Sequence, residues 1–485
     1  MGLPTTQVIS SPIRRVIPAL GLVLAFAVAT PVFAQGVIRD TEIETIIKSQ
    51  SRPVLTAAGL DADKVEFVLI ADKSLNAFAT SGQLIGLHTG LIMEAETPNQ
   101  LLGVIAHEAG HLAGGHTVRG SEMNRAGMGP YVVTMGLGIL AALTGNGDAA
   151  IGLIGSSGYF GTLGALTYSR VQESAADQAG ALALDRAGMS AQGLVDFFDK
   201  FRYMETMSEA RRDQFFRSHP LSRDRIQILR RKVQDLPNYG VKDTPEHVAE
   251  LDIVKAKLVA FLNPPLVTFQ KYPESDTRFP ARYARAIAYY QDTRPQKALT
   301  ALEDLITEQP GNAYLWELKG QILFESSRTG EAEAPQRKAV TLMPDAPLLR
   351  VNLGQTLIAR VSQERTLKGT AREAVLNEAI EHLQYAVQKE RDNVFGWHLL
   401  AQAYDASGRP GEARLAAAEA QFARGDKRQA RIFAVRAQEH LQPNTPDYRR
   451  AADIIMIVGP LDKHDKAHEE VRGLDNDSAH GHSHH

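Results

Sequence analysis

The chain has 485 residues, 44% hydrophobic and 22% charged, an ordinary globular composition that excludes wholesale disorder and fits two or three domains. With 53 Lys+Arg against 56 Asp+Glu the formal net charge is −3, so no basic field exists to hold nucleic acid phosphates. There is no Cys, which excludes disulfides, thiol catalysis, Cys-ligated zinc and a lipid-anchoring N-terminal Cys, and leaves any metal to His and carboxylates.

Residues 1–34 read as an export signal. Arg14 and Arg15 precede an apolar run from Val16 to Val28, and Val32 and Ala34 place small residues three and one before the 34/35 bond. The run falls short of the roughly 20 residues that span a bilayer. Cleavage is therefore expected, with the mature chain starting near Gln35 in the periplasm. Ile38 to Leu60 then reads as a helix. Val65 to Ile70 and Gln83 to His88 read as strands, with Ser81-Gly82 as the turn between them. Thr97 to Thr117 predicts a helix with Leu101, Leu102, Ile105 and Leu112 among its apolar members. Asn124 to Leu166 is Gly-rich and apolar, interrupted at Asn146-Gly147-Asp148, and reads as a lid or a membrane-contacting loop. Tyr168 to Ala187 predicts another helix, and more helices follow to Leu262. We divide the chain into a signal peptide (1–34), a catalytic domain (35–262), a Pro-rich polar linker (263–280), a helical repeat domain (281–445) and a His-rich tail, disordered at its end (446–485).

The repeats follow the 34-residue tetratricopeptide pattern. Trp316, Gly320, Ala332, Ala339 and Pro344 mark one unit, and Trp397, Ala401, Tyr404, Ala413 and Ala420 another. The two Trp are 81 residues apart, two periods plus 13, and the Gly354 to Ala379 spacing places the extra residues around Arg360 to Thr370. Stacked helix pairs of this kind make a concave surface that binds protein segments and carry no chemistry of their own.

The chemistry rests on His107-Glu108-Ala109-Gly110-His111, an H-E-x-x-H motif. On a helix the four-residue spacing puts both imidazoles on one face, where they can bind one zinc ion, with Glu108 beside the open position as general base. About 0.03 such matches are expected by chance in a chain of this composition, so coincidence is a poor explanation. A third protein ligand is needed. The extended H-E-x-x-H-x-x-G-x-x-H pattern fails, because Thr117 stands where its last His belongs and His116 is out of register. Glu173, in Ser169-Arg170-Val171-Gln172-Glu173-Ser174-Ala175-Ala176-Asp177, can complete a His2Glu site. Asp177, one turn on, can hold a ligand imidazole through its other nitrogen.

These two helices, together with Asn76-Ala77-Phe78-Ala79, resemble the gluzincin metallopeptidases of the HtpX, Oma and CAAX prenyl endopeptidase types, over about Asp40 to Arg231. The resemblance implies a mainly α fold with a small β-sheet and a single Zn2+ held by His107, His111 and Glu173, with Glu108 as base. It also implies a substrate strand added near Asn76 and along Gly82, Gln83, Leu84, Ile85 and Gly86. Ser218-His219-Pro220 is similar to that group's H-P segment. His219 is expected to donate to the oxyanion or to cap the metal at rest, and Arg225 to stabilise negative charge or support the segment. With the export signal and the repeats, the whole is similar to exported members of the group. That likeness implies a periplasmic zinc endopeptidase acting on misfolded or stalled envelope proteins, whose repeats engage the outer-membrane assembly machinery, with peripheral membrane contact and no nucleic acid partner. The alternatives are a chaperone or scaffold working through its repeats and an integral membrane protease.

Overall fold

The computed structural model describes residues 36–80, 82–115, 170–207, 219 and 221–459. The export signal, the Gly-rich segment, His116 and the His-rich end lie outside them. Among the described residues no helix is long and apolar enough to cross a membrane.

The sheet has four strands, β1 (Val37–Ile38), β2 (Glu66–Ile70), β3 (Ala77–Thr80) and β4 (Leu84–His88), in the order β1-β2-β4-β3. β2 and β4 cover the two expected strands, but they run parallel, Glu66 opposite Leu84 and Ile70 opposite His88. A parallel pair cannot be joined by a tight turn. The chain crosses over through residues 71–76 and β3, and Gly82 (φ 91°) and Gln83 (φ 61°) turn the β3–β4 hairpin instead.

Among the described residues, six helices complete the peptidase region beside the short α2 (Thr89–Glu94): α1 (Thr41–Ala57), α3 (Pro98–Ala113), α4 (Arg170–Arg186), α5 (Gln192–Met207), α6 (Arg223–Gln234) and α7 (Pro245–Leu262). α3 starts where the sequence allows it: Thr97 accepts from the Gln100 amide and Pro98 opens the first turn. It is packed on by α1, α4, α5 and β3 and is buried almost all round. This explains an apolar sequence interrupted only by the motif. Its neighbours supply Leu194, Phe198 and Phe201 to the same core, each such side chain contributing about 1.5–3 kcal/mol by burial.

The peptidase region and the repeats share α7. Leu251, Val254 and Leu258 lie in the peptidase core, while Ala256, Val259 and Ala260 lie in the core of the first repeat. The expected linker is likewise structured. Pro265 opens a short helix, α8 (Pro265–Lys271), and Arg285 donates to the carbonyls of Pro273 and Asp276. A charged seam backs this contact. Lys257 on α7, buried, lies 2.7 Å from Asp40 and 3.0 Å from Glu42 at the start of α1. Tyr283 also donates to Glu42 at 3.1 Å.

The repeats form five helix pairs: α9 (Phe279–Gln291) with α10 (Pro295–Glu308), α11 (Ala313–Glu325) with α12 (Thr329–Leu342), α13 (Pro347–Gln363) with α14 (Gly369–Lys389), α15 (Val394–Ala406) with α16 (Pro410–Ala423), and α17 (Lys427–Gln438) with α18 (Pro446–Val458). The period is visible in one bond. Trp316, Arg350 and Trp397 each donate from the side chain to the carbonyl six residues back, Pro310, Pro344 and Arg391. The extra 13 residues extend the middle unit, whose helices have 17 and 21 residues where the preceding pair has 13 and 14. The array also runs past residue 445: α18 buries Ala451 and Ile454 against Ala430 and Ala434, so the start of the expected tail is its last helix.

Candidate metal centre

His107 and His111 leave α3 on one face, as the four-residue spacing requires, with their Nε2 atoms 3.2 Å apart. α4 brings Glu173 and Asp177 across from them. The two helices approach closely because each is a glycine at the crossing: a Cβ on Gly110 would lie 2.7 Å from the Ala176 carbonyl, and one on Gly180 2.8 Å from that of Ala106. Glu173 Oε2 lies 3.6 Å from His107 Nε2, and Oε1 lies 3.4 Å from His111 Nε2. His219 enters from the far side, its Nδ1 3.2 Å from His107 Nε2 and 3.1 Å from Glu173. One ligand atom from each of His107, His111, Glu173 and His219 falls within 4.8 Å of all the others.

This donor set fits a metal ion. Two buried imidazole nitrogens at 3.2 Å cannot each be satisfied by the other when a carboxylate and a third imidazole crowd the same point. Nitrogen and oxygen ligands at about 2.0–2.1 Å from a tetrahedral ion stand about 3.3 Å apart, close to the 3.1–3.6 Å between the donors given above.

The surroundings orient these groups. Asp177 Oδ1 lies 2.9 Å from His107 Nδ1, while His107 Nε2 faces the other donors. Arg225 on α6 grips Asp177 through Nε and Nη2 and reaches Glu173 Oε2 at 2.9 Å with Nη1. Its guanidinium thus contacts both carboxylates. Phe198 of α5 sets its ring edge-on to His107, 5.7 Å between centroids, and lies under Arg225. Nothing in the sequence singled out this Phe, which reads there as one more core residue.

Burial works to raise Glu173, but the charges of His219, His107 and Arg225 outweigh it and hold the carboxyl below its usual range. The same balance, set by the Arg225 and His107 bonds, lowers Asp177. His219 goes the other way. Burial would lower it, and the carboxylates of Glu173 and Glu108 raise it instead. Glu108 is sealed from solvent with its Oε1 3.6 Å from His219 Nε2. Burial raises its carboxyl, against the pull of His219, His107 and the Ala79 amide.

The expected substrate edge needs correction. Leu84, Ile85 and Gly86 lie in β4, which is paired on both sides, with β2 and with β3. Its main-chain groups are already used. Among the described residues the free edge of the sheet beside α3 is β3. His88 N donates to Asn76 O at 3.0 Å, which makes 76/88, 78/86 and 80/84 the hydrogen-bonded pairs of the hairpin. The main-chain groups of Ala77 and Ala79 therefore point out of the sheet. Asn76, buried, precedes them. Gly82 and Gln83 lie in the turn.

Fold and centre together define a metallopeptidase with a repeat array. Residues 38–233 match the model of peptidase family M48, and residues 283–347 match a tetratricopeptide repeat model; residues 38–233 are thus a family M48 domain. The chain is 25% identical over 375 residues to the beta-barrel assembly-enhancing protease of Escherichia coli (strain K12), covering 76% of this chain and 72% of that one. It is 23% identical over 380 residues to the protease of the same name from Yersinia pestis, covering 75% and 72%. Across the peptidase region alone it is 29% identical over 175 residues to Metalloprotease LoiP of E. coli, 35% of this chain and 64% of that one.

Proposed function

We propose that the chain is an exported zinc endopeptidase that hydrolyses misfolded or stalled envelope proteins in the periplasm. His107, His111 and Glu173 hold the ion and Glu108 is the general base. The observation that carries this is the convergence of those three donors with a buried carboxylate beside them. When bound, zinc lowers the pKa of a water and polarises the scissile carbonyl.

Glu108 takes the proton from the attacking water and passes it to the leaving amine. Its burial suits both tasks, because a carboxyl of raised proton affinity accepts readily and can still donate. His219 lies with the other three donors and would hold the ion with them at rest. Moved off the ion, its N–H would donate to the oxyanion. Substrate lies as an added strand on β3, bonded to the outward groups of Ala77 and Ala79. That places an extended backbone alongside α3. The names of the two long relatives support a role in outer-membrane protein assembly, with the repeats engaging protein partners of that machinery.

The test is Glu108→Gln in the full chain. Zinc content should stay at one per chain while cleavage of an unfolded protein falls by at least a thousandfold. Unchanged cleavage, or purified wild-type protein without bound metal, refutes the assignment.

A further inference from the structure

β3 is only four residues long and, among the described residues, pairs on one side alone. Short edge strands fray unless something fixes them. Here the crossover that leads into β3 is fixed by the three residues at the end of β4. Gly90 N and Thr89 Oγ1 both donate to Asp72 O, at 2.8 and 2.9 Å, and Asp72 Oδ1 accepts from Ser74 N at 2.8 Å. A Cβ on Gly90 would lie 2.2 Å from the Lys73 carbonyl, so the crossover backbone lies directly on this turn.

The His88 side chain reaches both the crossover and β3. It is 2% exposed. Its Nδ1 is 2.8 Å from Ser74 Oγ, and its ring meets Phe78 edge-on, 6.3 Å between centroids. Phe78 lies over Gly86, where a Cβ would fall 2.3 Å from the ring. Phe78 thus fills the space above a glycine on the neighbouring strand and is held from the end by the imidazole. Burial pushes His88 down to about 4 against the pull of Asp72, so it stays neutral and packs as an aromatic with one polar contact. His88 touches none of the four donors of the metal centre.

We propose that His88 is a positioning residue for substrate: through Ser74 and Phe78 it fixes the β3 edge and so the outward main-chain groups of Ala77 and Ala79. The inference rests on the reading that substrate adds to β3. A loosened edge binds an extended peptide less well, since the strand must be ordered on binding. The centre on α3 and α4 is left as it was. A residue that merely supported folding would lower stability without separating binding from turnover.

The experiment uses the full chain and an extended peptide substrate. His88→Leu and Ser74→Ala are each expected to raise KM at least fivefold with kcat within twofold and zinc content unchanged. The Kd of the same peptide for the Glu108→Gln protein should rise by the same factor when either change is added. His88→Asn, which keeps a polar atom near the Nδ1 position, should recover most of the loss. Unmoved KM and Kd, a fall in kcat alone, or His88→Asn as impaired as His88→Leu overturns the proposal. Ser74→Ala alone decides it if His88→Leu fails to fold. N-methylation of the peptide at single positions separates the two readings. If no position raises KM, the added-strand reading fails; if some do while KM ignores both substitutions, only the role of His88 fails.

Discussion

Gly110 sits at an unspecified position of the H-E-x-x-H motif, yet Gly110→Ala should damage the metal centre. The added methyl would lie 2.7 Å from the Ala176 carbonyl oxygen and 3.0 Å from its Cα. Ordinary contact needs roughly 3.3–3.5 Å, so α3 and α4 must part by about 0.6 Å. Overpacking of this kind costs about 1–3 kcal/mol. Glu173 is one turn from Ala176 on the same helix and moves with it. Its oxygens now stand 3.4 and 3.6 Å from the two imidazole nitrogens on α3, and metal sites tolerate about 0.2 Å in ligand distance. Half an ångström is beyond that range. We expect zinc affinity, measured by competition with a chromophoric chelator, to fall at least tenfold, and metal-free stability in urea to fall by about 1–3 kcal/mol. Gly330→Ala is the control. It lies in helix α12, where a Cβ meets nothing within 4 Å, and should be neutral or slightly stabilising. A Gly110→Ala protein with wild-type affinity would mean that Glu173 is not a ligand or that the helices can part without it.

Two further outcomes concern the seam between the peptidase region and the repeats. Lys257→Met leaves Asp40 and Glu42 without their buried cation and should cost about 3–5 kcal/mol in equilibrium denaturation; adding Glu42→Gln should recover part of it, and full independence of the two changes would refute the pairing. Glu317 on α11 is pushed up to about 8 by loss of hydration and by Asp40, Glu42 and Glu44, with Lys257 pulling it down. A carboxyl raised in the folded state ionises first in the unfolded chain, so its contribution to stability falls as pH rises from about 4.5 towards about 8. Glu317→Gln should remove that part of the slope, seen as a stability difference from wild type that grows with pH across this window and is flat above it.

The parts of the centre that repeat at helical spacing were open to reading from the sequence. His107 and His111, like Glu173 and Asp177, are four residues apart, and a helix turns such pairs to one face whatever surrounds it. The repeat period was open for the same reason, down to the 13 extra residues, because each unit must place a small residue where its helices cross. The sheet was not. β3 has only the residues Ala-Phe-Ala-Thr, too short to show alternation against its flanks, and the strands on either side of it look like a hairpin until their direction is known. His88 reads as the last residue of a strand, and only the crossover folded back on it gives it a partner. Gly110 and Gly180 are 70 positions apart in sequence, and nothing local marks them as facing each other.

The same blindness to distant contacts hid how the peptidase region and the repeats join, and this bears on what the repeats can do. A Pro-rich, polar stretch between two helical regions reads as a linker. The structure has instead one helix, α7, whose two faces serve two cores, and a buried lysine on it that neutralises carboxylates at the start of α1. α1 in turn packs on both α3 and α4, the helices that carry the metal donors. A protein segment held by the first repeats is therefore held at a fixed distance from the catalytic helices. Its reach to the centre is set by its own length and not by a linker.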